Sequence, residues 1–167
     1  MLTMTALKTA RLTLTPVKPS MLAELHYLFT NPSVRRYLMD GKIVEPNWVY
    51  DVITTSQRQF EETNYGLWAI RQTDRSALIG ICGYAVIDQL QLLYALLPDY
   101  WGQGIATEAA RAVVDYGFGE AGLTEIIAAA DAPNTASFSV MQRLGMSYWK
   151  TEDAIRYYRL RHGRVFT

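Results

Sequence analysis

Apolar and polar residues alternate in ARLTLTPV, where Leu12 and Leu14 are separated by threonines. This period of two predicts a short, half-buried strand closed by Pro16 and Pro19. From Ser20 the spacing changes: Leu22, Leu25, Tyr27 and Phe29 point to a helix with Ser20 as its cap, ending before Asn31-Pro32-Ser33. NPSVRRYLMDG reads as a second, shorter helical segment, and EPNWVYDVITTSQRQFEETN as a longer helix entered through Pro46 and Asn47. GLWAIR, ALIGICGYAVI and LQLLYALLP are three strand-forming runs, the last ended by Pro98, and they suggest an antiparallel meander. Beyond them the pattern is helix (Ile105 to Phe118), buried strand (within EAGLTEIIAAADA), helix (NTASFSVMQRL, stopped by Gly145) and a closing hairpin around Glu152 and Asp153.

Half of the 167 residues are apolar, enough for a core, so one domain over residues 1–167 is expected. Lys plus Arg and Asp plus Glu are equal at 16 each, which gives no overall field to recruit nucleic acid or an anionic membrane. The single cysteine, Cys82, allows no internal disulfide and reads as a small buried hydrophobe; with no signal-like or membrane-spanning stretch, a cytoplasmic protein is expected.

Between the third strand of the meander and the next helix lies DYWGQGIATEAARAVVDYGF, with Gly102, Gly104 and the small Ala106 just before helix-forming residues. A glycine turn at a helix start leaves backbone N–H groups unpaired and adds the positive end of the helix dipole, a site suited to phosphate. The same glycines would also serve a tight turn and nothing more. GQGIAT has no lysine for a nucleoside triphosphatase loop, and Thr107 stands where a dinucleotide loop would carry its third glycine or alanine.

The stretch Trp101-Gly-Gln-Gly104-Ile-Ala106 resembles the acyl-CoA pyrophosphate loop of the GNAT N-acetyltransferase superfamily, Gln/Arg-x-x-Gly-x-Gly/Ala, and differs from it at the first position. DYWGQGIATEA is closer to the form found in the branch that includes ribosomal-protein N-terminal acetyltransferases. A second segment, NTASFSVMQRLGM from Asn134 to Met146, is similar to that branch's Asn-x-x-Ser motif ending in Leu-Gly-Phe/Met. The resemblance implies an α/β fold: a mixed, strongly bent sheet of about seven strands flanked by helices, with the fourth and fifth strands splayed apart. It also implies acetyl-CoA as the acyl donor. The pantetheine arm would lie along the backbone of Leu96 and Leu97, and the pyrophosphate over Gly102, Gln103, Gly104, Ile105, Ala106 and Thr107, with Asn134 and Ser137 nearby. The acceptor would be an amine, either a peptide N-terminus or a small molecule, and a homodimer is compatible with the resemblance.

Acetyl transfer needs a neutral amine and a proton for the departing thiolate. By resemblance Ser137 is the hydroxyl near the sulfur; its alternative is a bond to its own helix backbone. Asn134 reads as a helix cap that also has donor hydrogens for pantetheine. Tyr94 is a secondary candidate for contact with the thioester or acceptor, against a role in the core. Relatives often carry a glutamate base three positions before this tyrosine, where Gln91 stands here, so a water chain to Glu24, Asp40, Glu45, Glu152 or Asp153 is one alternative and an acceptor of low amine pKa another. Trp48, Tyr50 and Phe60 read as packing residues in preference to an acceptor-pocket lining, and Trp101 as packing in preference to a place beside the cofactor. Lone His26 reads as packing or surface in preference to an acceptor-side role, and RYYRLRHGR as a solvated strand edge in preference to a contact for adenosine phosphates, nucleic acid or an acidic peptide. A catalytically idle acyl-CoA-binding module is the rival from another class, and a nucleotide-binding domain a weaker third.

Overall fold

The computed structural model describes residues 5–163. Five strands, β1 (Leu7–Lys8), β2 (Leu12–Pro16), β3 (Leu67–Gln72), β4 (Leu78–Val86) and β5 (Leu90–Leu96), form an antiparallel sheet in chain order. Three more, β6 (Glu125–Asp131), β7 (Ser147–Glu152) and β8 (Ile155–Arg161), form a second antiparallel sheet in the order β6-β8-β7. The helices are α1 (Leu22–Thr30), α2 (Pro32–Leu38), α3 (Pro46–Thr63), α4 (Ile105–Gly119) and α5 (Thr135–Arg143). The short β1 precedes the strand read from sequence, so the expected fourth and fifth strands are β5 and β6. These two lie against each other, but no backbone ladder joins them, and α4 makes the crossover between them.

The alternation of β3 shows why both faces of the first sheet are covered. Trp68 and Ile70 point into a cluster with Tyr84, Leu92 and the inner face of α4, including Ala109, Ala110 and Val113. Leu67 and Ala69 point the other way, into a cluster with Leu25 and Leu28 of α1 and Val49 and Ile53 of α3. A strand buried on both faces reads as a continuous apolar run, as ALIGICGYAVI does. Gly83 is required where β4 passes the loop before β3, because a Cβ there would collide with the Gly66 carbonyl. Nearby, the buried Ser56 hydroxyl accepts the Leu67 N–H at 2.8 Å and joins α3 to the sheet.

Several local expectations change. Pro19 to Met21 forms a short 3₁₀ turn, so α1 begins one residue later than a Ser20 cap would set it, and Met21 precedes it without a side-chain cap. The side-chain cap in this region belongs to Asn31, whose Oδ1 accepts the N–H groups of Ser33 and Val34 at 3.0 and 3.3 Å. The basic run is not an edge: β8 is the middle strand of its sheet, paired on both sides, because Tyr157, Tyr158 and Leu160 are buried there; Arg164 lies outside the described residues. Of the aromatics read as packing residues, Phe60 is buried edge-on against Trp68, and Trp48, although partly exposed, meets the Phe29 ring edge-on with centroids 5.7 Å apart, whereas Tyr50 and Trp101 are exposed at their helix or loop surfaces. Among the described residues no helix is long and apolar enough to cross a membrane.

Candidate active site

The gap between β5 and β6 exposes half of the β5 backbone. The Leu97 N–H donates to the Ile79 carbonyl at 2.9 Å, and Gly80 pairs with Leu96. In an antiparallel ladder bonded pairs alternate, so Leu97, Ala95 and Leu93 spend their backbone groups on β4, while those of Leu96 and Tyr94 point toward β6. The Leu96 carbonyl on that side accepts the Trp101 indole N–H at 2.8 Å, which explains why an exposed tryptophan is held in place there. The Leu96 N–H faces the gap. Leu97, by contrast, offers the gap no donor and does not line it, which corrects its pairing with Leu96 as a cofactor contact.

The chain then turns through the glycine bend. Gly102 and Gly104 have φ of 73° and 76°, in the left-handed region where other residues are strained. The first intrahelical bond of α4 runs from the Glu108 N–H to the Gly104 carbonyl at 3.0 Å, so the N–H groups of Ile105, Ala106 and Thr107 precede the helix ladder and are available to an anion. Gln103 does not line the gap: its carbonyl accepts Arg11 Nη1 at 2.9 Å and its amide donates to the Asp99 carbonyl at 3.1 Å.

Arg11 and Glu108 form a clamp behind this bend that sequence reading did not single out. Arg11 Nε donates to Glu108 Oε1 at 2.7 Å, and Glu108 Oε2 accepts the Arg11 backbone N–H at 3.0 Å and the Thr9 hydroxyl at 2.5 Å. Burial pushes the Glu108 carboxyl up, but the bonds from Thr9 and Arg11 outweigh it and hold the group below the usual glutamate range. A lowered carboxylate pKa contributes stability that is present above the unfolded value, about 4.3, and is lost as pH falls through the folded one. The melting curves of wild type and Glu108→Gln are therefore expected to differ near neutrality, with wild type more stable, and to converge as the pH falls below the ordinary glutamate range and through the lowered folded value. Parallel curves across that range would show that the clamp does not depend on the charge.

Across the gap, α5 starts at a cap: Asn134 Oδ1 accepts the Ser137 N–H at 3.3 Å. The Ser137 hydroxyl does not bond back to its own helix. It meets the Tyr94 hydroxyl at 3.0 Å, and the Tyr94 O–H also reaches the Ser137 carbonyl at 2.9 Å. One tyrosine proton serves one of these acceptors at a time. When it goes to the carbonyl, the serine proton points at tyrosine; when it goes to Ser137 Oγ, the serine proton is free to face the gap. Burial pushes the Tyr94 phenol well above its ordinary pKa, only partly offset by the Ser137 bond, so it stays protonated at neutral pH. Cys82, opposite Tyr94 on β4, is fully buried and burial pushes its thiol up as well, which leaves it no thiolate character.

At the other end, buried Gln91 lines the gap and donates Nε2 to Asp88 Oδ1 at 2.6 Å, while Asp88 Oδ2 accepts the Tyr157 hydroxyl at 2.9 Å. Asp88 was not among the carboxylates weighed from sequence. Those that were, Glu24, Asp40, Glu45, Glu152 and Asp153, do not line the gap; Glu24, for example, caps the Leu78 N–H at 3.0 Å on the outer face of the sheet. His26 is likewise outside it, with Nε2 2.9 Å from the Val44 carbonyl.

These surfaces enclose a cleft of about 590 Å³ that passes through the sheet. Tyr94 and Leu96 reach it from the α4 face, Gln91 and Leu93 from the α2 face. Gly102, Gly104, Ile105, Ala106, Thr107, Asn134 and Ser137 line the same space. An unpaired strand edge continuous with an anion-binding helix start fits a long amide-bearing arm joined to a diphosphate, as in coenzyme A. Among the described residues no group of histidine, cysteine or carboxylate side chains is placed to hold a metal ion.

Comparison with known proteins agrees with this geometry. A profile of the acetyltransferase (GNAT) domain matches residues 11–147. An uncharacterized N-acetyltransferase, YoaA of Bacillus subtilis, is 27% identical over 164 residues, covering 96% of this chain and 91% of the relative. The crystal structure of an acetyltransferase from Agrobacterium tumefaciens superimposes with a TM-score of 0.83 at 21% identity, over 95% of both chains. The ribosomal L7/L12 alpha-N-protein acetyltransferase RimL, solved in complex with coenzyme A, superimposes with a TM-score of 0.79 at 14% identity, over 94% of this chain and 98% of that one.

Proposed function

The chain belongs to the GNAT acetyltransferase family, whose members use acetyl-CoA to acetylate amines, and from that premise we propose that the amine attacks directly, within a ternary complex formed in the cleft between β5 and β6. The observation that carries this reading is the Tyr94–Ser137 hydroxyl pair, 3.0 Å apart, set between the open β5 edge and the α4 turn. Acetyl-CoA supplies a thioester activated toward nitrogen and a thiol leaving group. The Leu96 N–H polarises the carbonyl oxygen, as an oxyanion donor does in acyl transfer. The N–H groups of Ile105 to Thr107 bind the diphosphate, and the Asn134 amide adds a donor toward the pantetheine. Ser137 is the proton donor to sulfur, and Tyr94 reprotonates or orients it. The buried, inert Cys82 leaves no acyl-enzyme nucleophile on the strand beside the site.

Direct attack predicts initial-rate lines that intersect when acetyl-CoA and amine are varied together. Parallel lines, the mark of a covalent acetyl-enzyme, would contradict it. A non-catalytic acyl-CoA-binding module is the second reading, favoured by Gln91 where a glutamate base would stand; it predicts binding without amine-dependent thiol release. The acceptor is a primary amine, and we take it to be a peptide N-terminus or a small amine met in the cytoplasm, the reducing compartment that suits a single unpaired cysteine.

A further inference from the structure

The acceptor end of the cleft offers nothing that takes a proton from an ammonium group. Its walls are Val34, Tyr37 and Leu38 of α2 on one side and Ile87 and Leu93 of the β4–β5 hairpin on the other, with Ile87 66% exposed at the mouth. Among the described residues that line the cleft the one charged side chain is Arg143, a cation on α5; the other titratable side chains are Tyr37, Tyr94 and Tyr100, with no carboxylate and no histidine. The polar groups at this end are the Gln91 amide and the hydroxyls of Ser33 and Tyr37 on α2, none of which takes up a proton near neutrality. Because the Gln91 Nε2 is given to Asp88, its Oε1 is turned away from that carboxylate, and no described residue donates to it. An amide oxygen accepts a hydrogen bond but does not take up a proton near neutrality.

Asp88 stands behind Gln91 and does not substitute for it. Its Oδ1 accepts the Gln89 N–H at 2.9 Å as well as the Gln91 amide, and its Oδ2 is held by Tyr157. Burial pushes the Asp88 carboxyl up, but these bonds outweigh it and keep the group below the ordinary aspartate range, a weak base whose oxygens are both engaged. Tyr157 is pushed up by burial and by its bond to Asp88, so it remains a donor.

Building on the acetyltransferase reading, we propose that the acceptor enters as its free base, an uncharged primary amine carried on an apolar group, with one N–H received by Gln91 Oε1. The apolar wall disfavours the charged form of the amine, so the proton is left in solvent on entry and no protein base is needed. The step then balances within the complex. The nitrogen lone pair forms the N–C bond and the C–S bond breaks with its electron pair going to sulfur. The nitrogen, now acidic, gives its extra proton to solvent water in the open cleft, while sulfur takes one from Ser137, whose hydroxyl is restored through Tyr94 from solvent, so that no net proton is gained or lost. A polyamine brings further ammonium groups that meet apolar surface and no counter-charge, so it is a poor acceptor here.

The test is kcat/KM against pH for wild-type protein with three acceptors: a short peptide beginning with leucine, an arylalkylamine and spermidine. The rising limb is expected to follow each acceptor's own pKa, about 7.7–8.0 for the peptide and near 10 for the alkylamine, a displacement of about 2 pH units. At about pH 7.5 the neutral fractions alone favour the peptide by roughly two orders of magnitude. After correction for neutral fraction, whichever apolar amine is faster identifies the acceptor's source, and spermidine should trail both. In Gln91→Glu a carboxylate faces the same nitrogen, and the limb should cease to follow the acceptor. A wild-type limb common to all acceptors, a preference for spermidine after correction, or a Gln91→Glu limb that still follows the acceptor would overturn the proposal. Acetyl-CoA binding with no thiol release from any amine would instead overturn the transferase reading, and this inference with it.

Discussion

Gly104→Val is expected to lower acetyl-CoA affinity by about a hundredfold or more, roughly 2.7 kcal/mol. At φ 76° the α4 turn sits in the left-handed region, where a residue with a Cβ costs about 1–2 kcal/mol and a β-branched one more. The backbone relieves that strain by rotating, and the N–H groups of Ile105, Ala106 and Thr107 rotate with it away from a common point. A Cβ at Gly104 also comes to 3.6 Å from Arg11 Nη2, so the rest of a valine presses on the arm that holds the Gln103 carbonyl. Calorimetric titration with acetyl-CoA measures the effect. Gly41→Ala is the control, since Gly41 has nearly the same φ, 77°, with open space around it and no place in the cleft. It should lower the melting temperature without touching affinity. If Gly104→Val binds acetyl-CoA as wild type does, the bend is only a turn.

The second large effect belongs to the hydroxyl pair. Ser137→Ala is expected to reduce kcat by about a hundredfold, within the range for loss of a general acid, with acetyl-CoA affinity changed less than about threefold. Tyr94→Phe keeps the ring that packs against Leu92 and Leu96 but loses both bonds to Ser137, and should reduce kcat by a comparable factor. If the two act as one unit, the double variant is little worse than either single one. Effects that multiply would mean separate roles, and equal losses in affinity and turnover would mean that the pair binds rather than reacts.

The parts of this site that were legible in the sequence are those written in short range. The glycine bend and the start of α4 lie within a few residues of each other, and Asn134 and Ser137 share the first turn of α5. What sequence could not supply are contacts between elements far apart in the chain. Arg11 and Glu108 are separated by 97 residues, and Asp88 and Tyr157 by 69. Each side chain alone is an ordinary surface charge or strand aromatic, and only the fold brings it to the back of the site. The same limit explains β8: its arginines looked like an edge because alternation reports one exposed face, whereas the position of a strand within a sheet is set by its partners. Leu97 shows the finer version, since which of two adjacent residues faces the gap follows from the β4–β5 register and not from either residue. The Ser20 cap failed for a local reason: Pro19 starts a 3₁₀ turn that runs through Ser20 and defers the α-helix to Leu22.

The most direct test of the account is to titrate the wild-type protein with acetyl-CoA in a calorimeter and then add a peptide with an apolar first residue to the same sample while free thiol is counted. The account predicts saturable binding, no thiol before the amine is added, and one thiol released for each amine acetylated. Failure to bind acetyl-CoA, or thiol released without acetylated product, would contradict it.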